Sequence, residues 1–368
     1  MTRPVEISTL VIKVASRCNM DCDYCYIYHG EDTSWRNMPI RMQPAVVKAL
    51  IVEIRRLYSS QQTKPHVVFH GGEPLLYGIK QLGQLIASLV QYIPEVSLSI
   101  QTNGTIYNDI LEKLILDYRS NLAFSVSVDG PQLENDRHRL DLRGRSVYSK
   151  IETNLRRAMR ATVLDNILMV ADIRNDPVRI YQFMLDTGAK SYNILLQDGD
   201  HDHLPPGKSN IEDTEVGNWL WRLFKLYCAG KQQFRLKFFD DISVSLLKKA
   251  RGIKSPASTY SLCTITIDTD GEIKQADTFR INRNSADRLT GSNILDSSLL
   301  NIANSSSNKK SLHKSERLSK RCVDCCYLDV CGGGFPSHRA KGSEMQHPSI
   351  YCSDYIYLFE RIEATLCH

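Results

Sequence analysis

Six short apolar segments alternate with stretches of helical periodicity over residues 9–196, and this alternation constrains the fold more than any other feature. Thr9–Val14 (TLVIKV) reads as a first strand, apolar and β-branched. Gln43–Tyr58 repeats apolar residues at helical spacing, with Val46, Val47, Leu50, Ile54 and Leu57 on one side. Strands follow at Val67–Phe69, Val96–Ile100, Ala123–Val128, Ile167–Ala171 and Tyr192–Leu196. Helices follow at Leu82–Tyr92, Asp109–Tyr118, Val147–Arg160 and Val178–Asp186. Short, continuously apolar strands separated by helices belong to a parallel sheet covered by helices. Right-handed crossovers then favour an open or partly closed barrel. Eight such units take about 250 residues, and here the alternation stops near residue 200, so an α/β fold with a partial (β/α)6 barrel is predicted. Such folds place the active site at the C-terminal ends of their strands. The polar stretches Cys18–Tyr26, His70–Pro74, Gln101–Gly104 and Asp129–Pro131 all follow strands.

The first of these stretches carries Cys18, Cys22 and Cys25. Three thiolates so close together can grip one soft metal centre from one side. They cannot saturate a four-iron cluster, so one iron stays open for another ligand. Tyr24 and Tyr26 would shield such a centre from water. A zinc site is the alternative, but zinc sites use cysteine pairs two residues apart. The chain has eleven cysteines, most of them near its two ends: Cys263, Cys322, Cys325, Cys326, Cys331 and Cys352 form the second group. With no apolar signal segment at the N-terminus, metal binding is a better reading than a disulfide framework. Cys228 and Cys367 stand apart as ordinary thiols.

The rest of the 368-residue chain is less regular. Gln197–Asn210 is polar, contains Pro205, Pro206 and Gly207, and reads as a linker or lid, with His201 and His203 as solvated side chains. Helices are expected at Trp219–Tyr227 and Ile242–Lys249. A hairpin is expected around Asp268–Gly271, between Cys263–Ile267 and Glu272–Gln275. Asn301–Lys320 reads as a mobile surface segment, and Tyr351–Leu366 as a closing amphipathic helix. The division expected is a barrel over 1–200, a helical linker over 201–260 and a cysteine-bearing domain over 261–368. A net charge of +5, from 46 basic and 41 acidic residues, is too mild to argue for nucleic acid or an anionic membrane. No apolar run is long enough to span a bilayer, and a cytoplasmic location is expected.

Cys-x3-Cys-x2-Cys after the first strand, followed by Gly-Gly-Glu-Pro after the second, resembles the radical S-adenosylmethionine (SAM) superfamily. The resemblance implies a [4Fe-4S] cluster on Cys18, Cys22 and Cys25 whose open iron is chelated by SAM. Reductive cleavage of SAM then yields a 5′-deoxyadenosyl radical that abstracts hydrogen from an unactivated carbon. Gly71 and Gly72 would let the backbone approach the cofactor, and Glu73 would accept hydrogen bonds from its amino group. Ser127 and Asp129 match positions of polar ribose contacts, although Asp129 also suits capping of its own turn. Arg139 resembles an arginine that pairs the methionine carboxylate, with a solvated basic run as the alternative. His70 replaces the glutamine that sulfatase-maturing relatives carry before Gly-Gly-Glu-Pro.

Cys322-x2-Cys325-x5-Cys331 with Cys352 resembles a SPASM-type extension, which implies one fully ligated auxiliary [4Fe-4S] cluster. A four-cysteine zinc site is the alternative there. Ala276 and Phe335 occupy positions where the full pattern has cysteines, so two clusters in total are expected. Together with Asn135–Arg139, Gln275–Thr278 and Cys331–Arg339, these departures resemble maturases that form three-residue cyclophanes in ribosomally synthesised precursor peptides. The function expected on that resemblance is a carbon–carbon crosslink between an aromatic ring and the β-carbon of a nearby residue. Asp277 would act as the base, and a flavodoxin- or ferredoxin-type protein as electron donor. A sulfatase-maturing or epimerising radical enzyme and a non-catalytic zinc-binding protein are the alternatives.

Overall fold

The structure, a computed structural model, describes residues 6–230, 233–253, 264–281, 288–306, 308 and 317–366. The chain forms two compact units, each assembled from separated stretches of sequence. The first comprises Met1–Ser127, His138–Asp165 and Ser261–Lys314, the second Val128–Arg137, Asn166–Tyr260 and Ser315–His368.

In the first unit, strand β1 (Thr9–Ala15) pairs in parallel with β2 (His66–Gly71), so that Ile12 lies opposite Phe69. Strands β3 (Ser97–Thr102) and β4 (Leu122–Ser127) continue the parallel order. Leu10, Ile12, Val67, Phe69, Leu98 and Ile100 on one face are almost wholly buried, and Lys13, Val68 and Ser99 on the other are buried too, as strands covered on both faces require. Helices Pro44–Ser60, Ile79–Tyr92, Asp109–Asp117 and Tyr148–Arg160 follow their strands, each within a few residues of its sequence-derived bounds.

The other side of β1 was not visible in the sequence. Strand β8 (Thr264–Ile267) pairs with it in parallel, Ile267 opposite Ile12. The expected hairpin then brings β9 (Glu272–Lys274) back antiparallel, closed by Gly271 N–H donating to Asp268 O at 2.9 Å. Strand β10 (Arg288–Asn293) adds outside β9. Cys263 lies outside the described residues.

The second unit holds the parallel strands β5 (Asn166–Val170), β6 (Ser191–Leu195) and a short β7 (Arg235–Leu236) that sequence periodicity missed. Its helices are Pro177–Thr187, Glu215–Ala229, Lys237–Ala250 and Cys352–Leu366. Two of them cross closely: a Cβ on Gly217 would fall 2.6 Å from Asp354 O.

Two expectations for polar segments change. Residues 197–210 are no solvated lid, because Gln197, Asp200 and Lys208 are buried and Lys208 Nζ meets the buried Asp354 Oδ2 at 2.7 Å. His203 is exposed, whereas His201 Nε2 lies 2.7 Å from Pro348 O. The described start of 301–320 is likewise anchored. Helix Leu299–Asn304 buries Ile302 and Ala303, and Leu299 N–H donates to Glu53 Oε2 at 2.8 Å. Positions 307 and 309–316 of that stretch lie outside the described residues. Among the described residues, no helix is long and apolar enough to cross a membrane.

Candidate active site

The first unit gathers three strand-end motifs. Cys18, Cys22 and Cys25 are half-buried on the loop after β1. Cys25 N–H donates to Cys22 O at 3.0 Å, and His29 N–H to Cys25 O at 2.8 Å, so the loop turns tightly about its third cysteine. At the end of β3, Asn103 reaches back to this loop: its Nδ2 donates to Asn19 Oδ1 at 2.9 Å and lies 3.6 Å from Cys18 Sγ. Asn19 Nδ2 in turn donates to Thr105 Oγ1 at 2.8 Å. Asn103 and Thr105 carried no role in the sequence reading, although a Thr-Asn-Gly strand end was the available signal.

Glu73 is completely buried and ties β2 to β3. Its Oε1 accepts from Leu75 N–H (3.0 Å) and Thr102 Oγ1 (2.8 Å), and its Oε2 from Asn103 N–H (2.8 Å). Burial pushes this carboxyl up even so. The neighbouring glycines are required first by the chain itself. Gly71 has φ +136°, and a Cβ there would fall 2.1 Å from Ala15 O; a Cβ on Gly72 would fall 2.4 Å from Arg17 O.

Of the other expected cofactor residues, Arg139 and Tyr24 come together, the guanidinium carbon 5.8 Å from the ring centre. His138 packs on the same ring and its Nδ1 lies 2.6 Å from Asp23 Oδ1. Arg139 is buried, not a member of a solvated run. Ser127 ends β4 in the first unit. Asp129 belongs to the second, where its Oδ1 accepts Val170 N–H at 2.9 Å, a bond to β5 that neither of its two sequence readings named.

Asp277 is buried and its Oδ2 accepts from Tyr26 Oη at 2.9 Å. Tyr26 directly follows Cys25, so the carboxylate stands beside the cysteine loop. Lys13, in the middle of β1, places Nζ 3.0 Å from Asp277 Oδ2 and 3.9 Å from Asp268 Oδ1, close ion pairs rather than well-aligned hydrogen bonds. Arg280 joins Asp268 (2.7 Å) to Asp32 (3.4 Å), and Lys274 meets Asp268 at 2.7 Å. Three buried cations thus face three buried aspartates. Burial alone would raise the Asp277 carboxyl, but Lys13, His70 and Arg280 outweigh it and hold the group below its ordinary range. Asp268 is held low by the same balance. A lone lysine inside an apolar strand was the missed signal for this network.

Because the folded Asp277 titrates lower than the unfolded value of about 3.9, its pairing stabilises the fold at higher pH. That contribution fades as pH falls through the folded value. Lys13→Met leaves both aspartates short of a partner and should cost about 3–5 kcal/mol near neutrality. Urea unfolding at a series of pH values checks this, and the gap to wild type should narrow as pH falls from 7 towards 3.

The thiols suit a metal centre. Burial, opposed by Met20 N–H, pushes Cys18 up to about 12, and Glu73, Cys22 and Cys25 add to the shift. Such thiols become effective ligands only when a metal takes their protons' place. His70 Nδ1, just before Gly71, is buried without a hydrogen-bond partner, the kind of orphan that a bound polar group satisfies. In the second unit, Cys322, Cys325, Cys331 and Cys352 line one cavity with Leu328 and Phe359. Burial and the other three thiols push Cys331 up to about 12. Cys326 is exposed and apart from them. Among the described residues, no three His, Cys, Asp or Glu side chains converge on a single ion.

The model of the radical SAM superfamily matches residues 12–184, and this part of the chain is a radical SAM domain. Over nearly its whole length the chain is similar to anaerobic sulfatase-maturating enzymes. It is 24% identical to a cysteine-type enzyme of Clostridium novyi, covering 97% of this chain and 95% of that one. It is 26% identical to a serine-type enzyme of Klebsiella aerogenes, covering 99% and 87%. Native anSMEcpe with bound AdoMet and Cp18Cys peptide shares the fold at a TM-score of 0.81 and 20% identity, covering 98% of this chain and 97% of that one. Streptococcus suis SuiB bound to precursor peptide SuiA is more distant, with a TM-score of 0.66 and 12% identity over 95% and 76%.

These likenesses overturn the expected cyclophane-forming activity, since the matched curated relatives are sulfatase-maturating enzymes. The physical reason is plain. Ala276 and Phe335 bear on how many clusters the chain can ligate, and a cluster inventory does not specify the bond made in a substrate.

Proposed function

We propose that this protein is a radical SAM enzyme that oxidises a side chain of a peptide or protein, as the anaerobic sulfatase-maturating enzymes do. One observation carries the reading: the three-cysteine loop and an ionised buried carboxylate stand one residue apart, joined by the Tyr26–Asp277 hydrogen bond. When bound, SAM and the clusters on Cys18, Cys22, Cys25 and on Cys322, Cys325, Cys331, Cys352 supply the hydrogen abstraction and the electron transfers. Glu73, Arg139 and Tyr24 shape the pocket for SAM beside the first cluster. Asn103 orients Cys18. Asp277 is the catalytic residue that takes the substrate's hydroxyl or thiol proton, while Lys13 and Tyr26 position it. A hydroxyl-bearing substrate carbon then becomes a carbonyl by losing two hydrogens, one as an atom and one as a proton plus an electron. A flavodoxin- or ferredoxin-type protein is the electron donor in this reading.

The test presents reconstituted enzyme with SAM, a reductant and sulfatase-derived peptides bearing serine or cysteine at the modified position. Mass spectrometry should show a two-hydrogen loss on the serine peptide or conversion of the cysteine to an aldehyde. Uncoupled 5′-deoxyadenosine with both peptides unchanged would remove the sulfatase-type reading.

A further inference from the structure

We infer that Arg339 is the buried charge that sets the reduction potential of the auxiliary centre, an inference that rests on the cluster reading of Cys322, Cys325, Cys331 and Cys352. Arg339 ends the short turn Pro336–Arg339 and is 2% exposed. The turn follows Cys331 through Gly332, Gly333 and Gly334, whose φ angles of 64°, 83° and 75° curl the chain back. Gly333 lines the same cavity as the four thiols, and a Cβ on it would stand 3.4 Å from Arg339 Nη1. The guanidinium therefore packs against a residue with no side chain that itself lines the thiol cavity. Burial works against its charge, and Cys322 and Cys331 work in its favour.

Arg321 also acts on these thiols, but its situation differs. It is 44% exposed and forked onto Glu212 at 2.6 and 3.1 Å, so solvent and a carboxylate offset its charge. A cation held in a poorly polarisable interior acts far more strongly on a neighbouring charge than one in water. A four-thiolate cluster becomes more negative on reduction, and local charge is one of the levers on its potential. Arg339 favours the reduced state.

The experiment is an EPR-monitored redox titration of full-length reconstituted protein, with Cys18, Cys22 and Cys25 replaced by alanine so that only the auxiliary centre reports. Arg339→Met should lower the reduced-to-oxidised ratio at a fixed potential by about tenfold, which is ~59 mV for one electron. Arg339→Lys keeps the charge and should stay within about threefold of the parent. Iron lost from the Met variant but kept in the Lys variant would also support a charge role. An unmoved potential in Arg339→Met, or equal shifts or equal iron loss in both variants, overturns the inference. A parent protein without iron is a separate outcome, which overturns the auxiliary-cluster reading and this inference with it.

Discussion

Replacing Cys18, Cys22 and Cys25 together by alanine is expected to abolish 5′-deoxyadenosine formation altogether. The three thiols lie on one tightly turned loop, and burial pushes Cys18 and Cys25 up, so that neither is an effective acid on its own. Their stable ionised state therefore depends on the metal they hold, and without it nothing in the first unit can receive SAM in a reactive geometry. Iron content should fall from about eight to about four per chain, because the second group of thiols lies in another compact unit with its own cavity. Anaerobic reconstitution, iron and sulfide analysis and chromatography of the SAM products check both parts. SAM cleavage that persists in the triple variant would place the radical chemistry elsewhere.

Asp277→Asn should separate radical formation from oxidation. Asparagine keeps the shape and removes the charge, and Lys13 retains Asp268 at 3.9 Å. SAM cleavage should continue, while oxidised peptide falls at least about 100-fold, the scale on which a positioned base contributes. In the wild type, Lys13, His70 and Arg280 keep this carboxylate ionised against its burial. Product formation should therefore show no acidic limb from Asp277 between pH 5 and pH 8. Such a group is a weak base, matched to a proton made acidic by the neighbouring radical centre. Full oxidation by the asparagine variant would reduce Asp277 to a structural member of its charge network.

Much of this arrangement was legible in the chain. Each strand from β1 to β6 is a short apolar run, the first four ended by a motif, and the local pattern suffices because side-chain burial follows the strand's own period. Cys18, Cys22, Cys25 and Cys322, Cys325, Cys331 are close in sequence, so spacing alone speaks for shared ligation. Lys13 was not legible as a functional group, because its partners Asp268 and Asp277 lie some 250 residues away and meet it only when β8 docks beside β1. Arg339 was not legible as a buried charge, because nothing local marks a buried arginine; the glycines at 332–334 were the clue. The bond made in the substrate was misjudged for a related reason. Substrate choice depends on surfaces assembled by the fold, whereas Ala276 and Phe335 speak only of missing ligands.

The most direct test of the account is isotope transfer. A peptide substrate carrying deuterium on the β-carbon of its modified serine or cysteine is turned over with unlabelled SAM, and 5′-deoxyadenosine is analysed by mass spectrometry. The account predicts one deuterium in the 5′-deoxyadenosine, formed in step with the oxidised peptide. Oxidised peptide accompanied by 5′-deoxyadenosine without deuterium would contradict it.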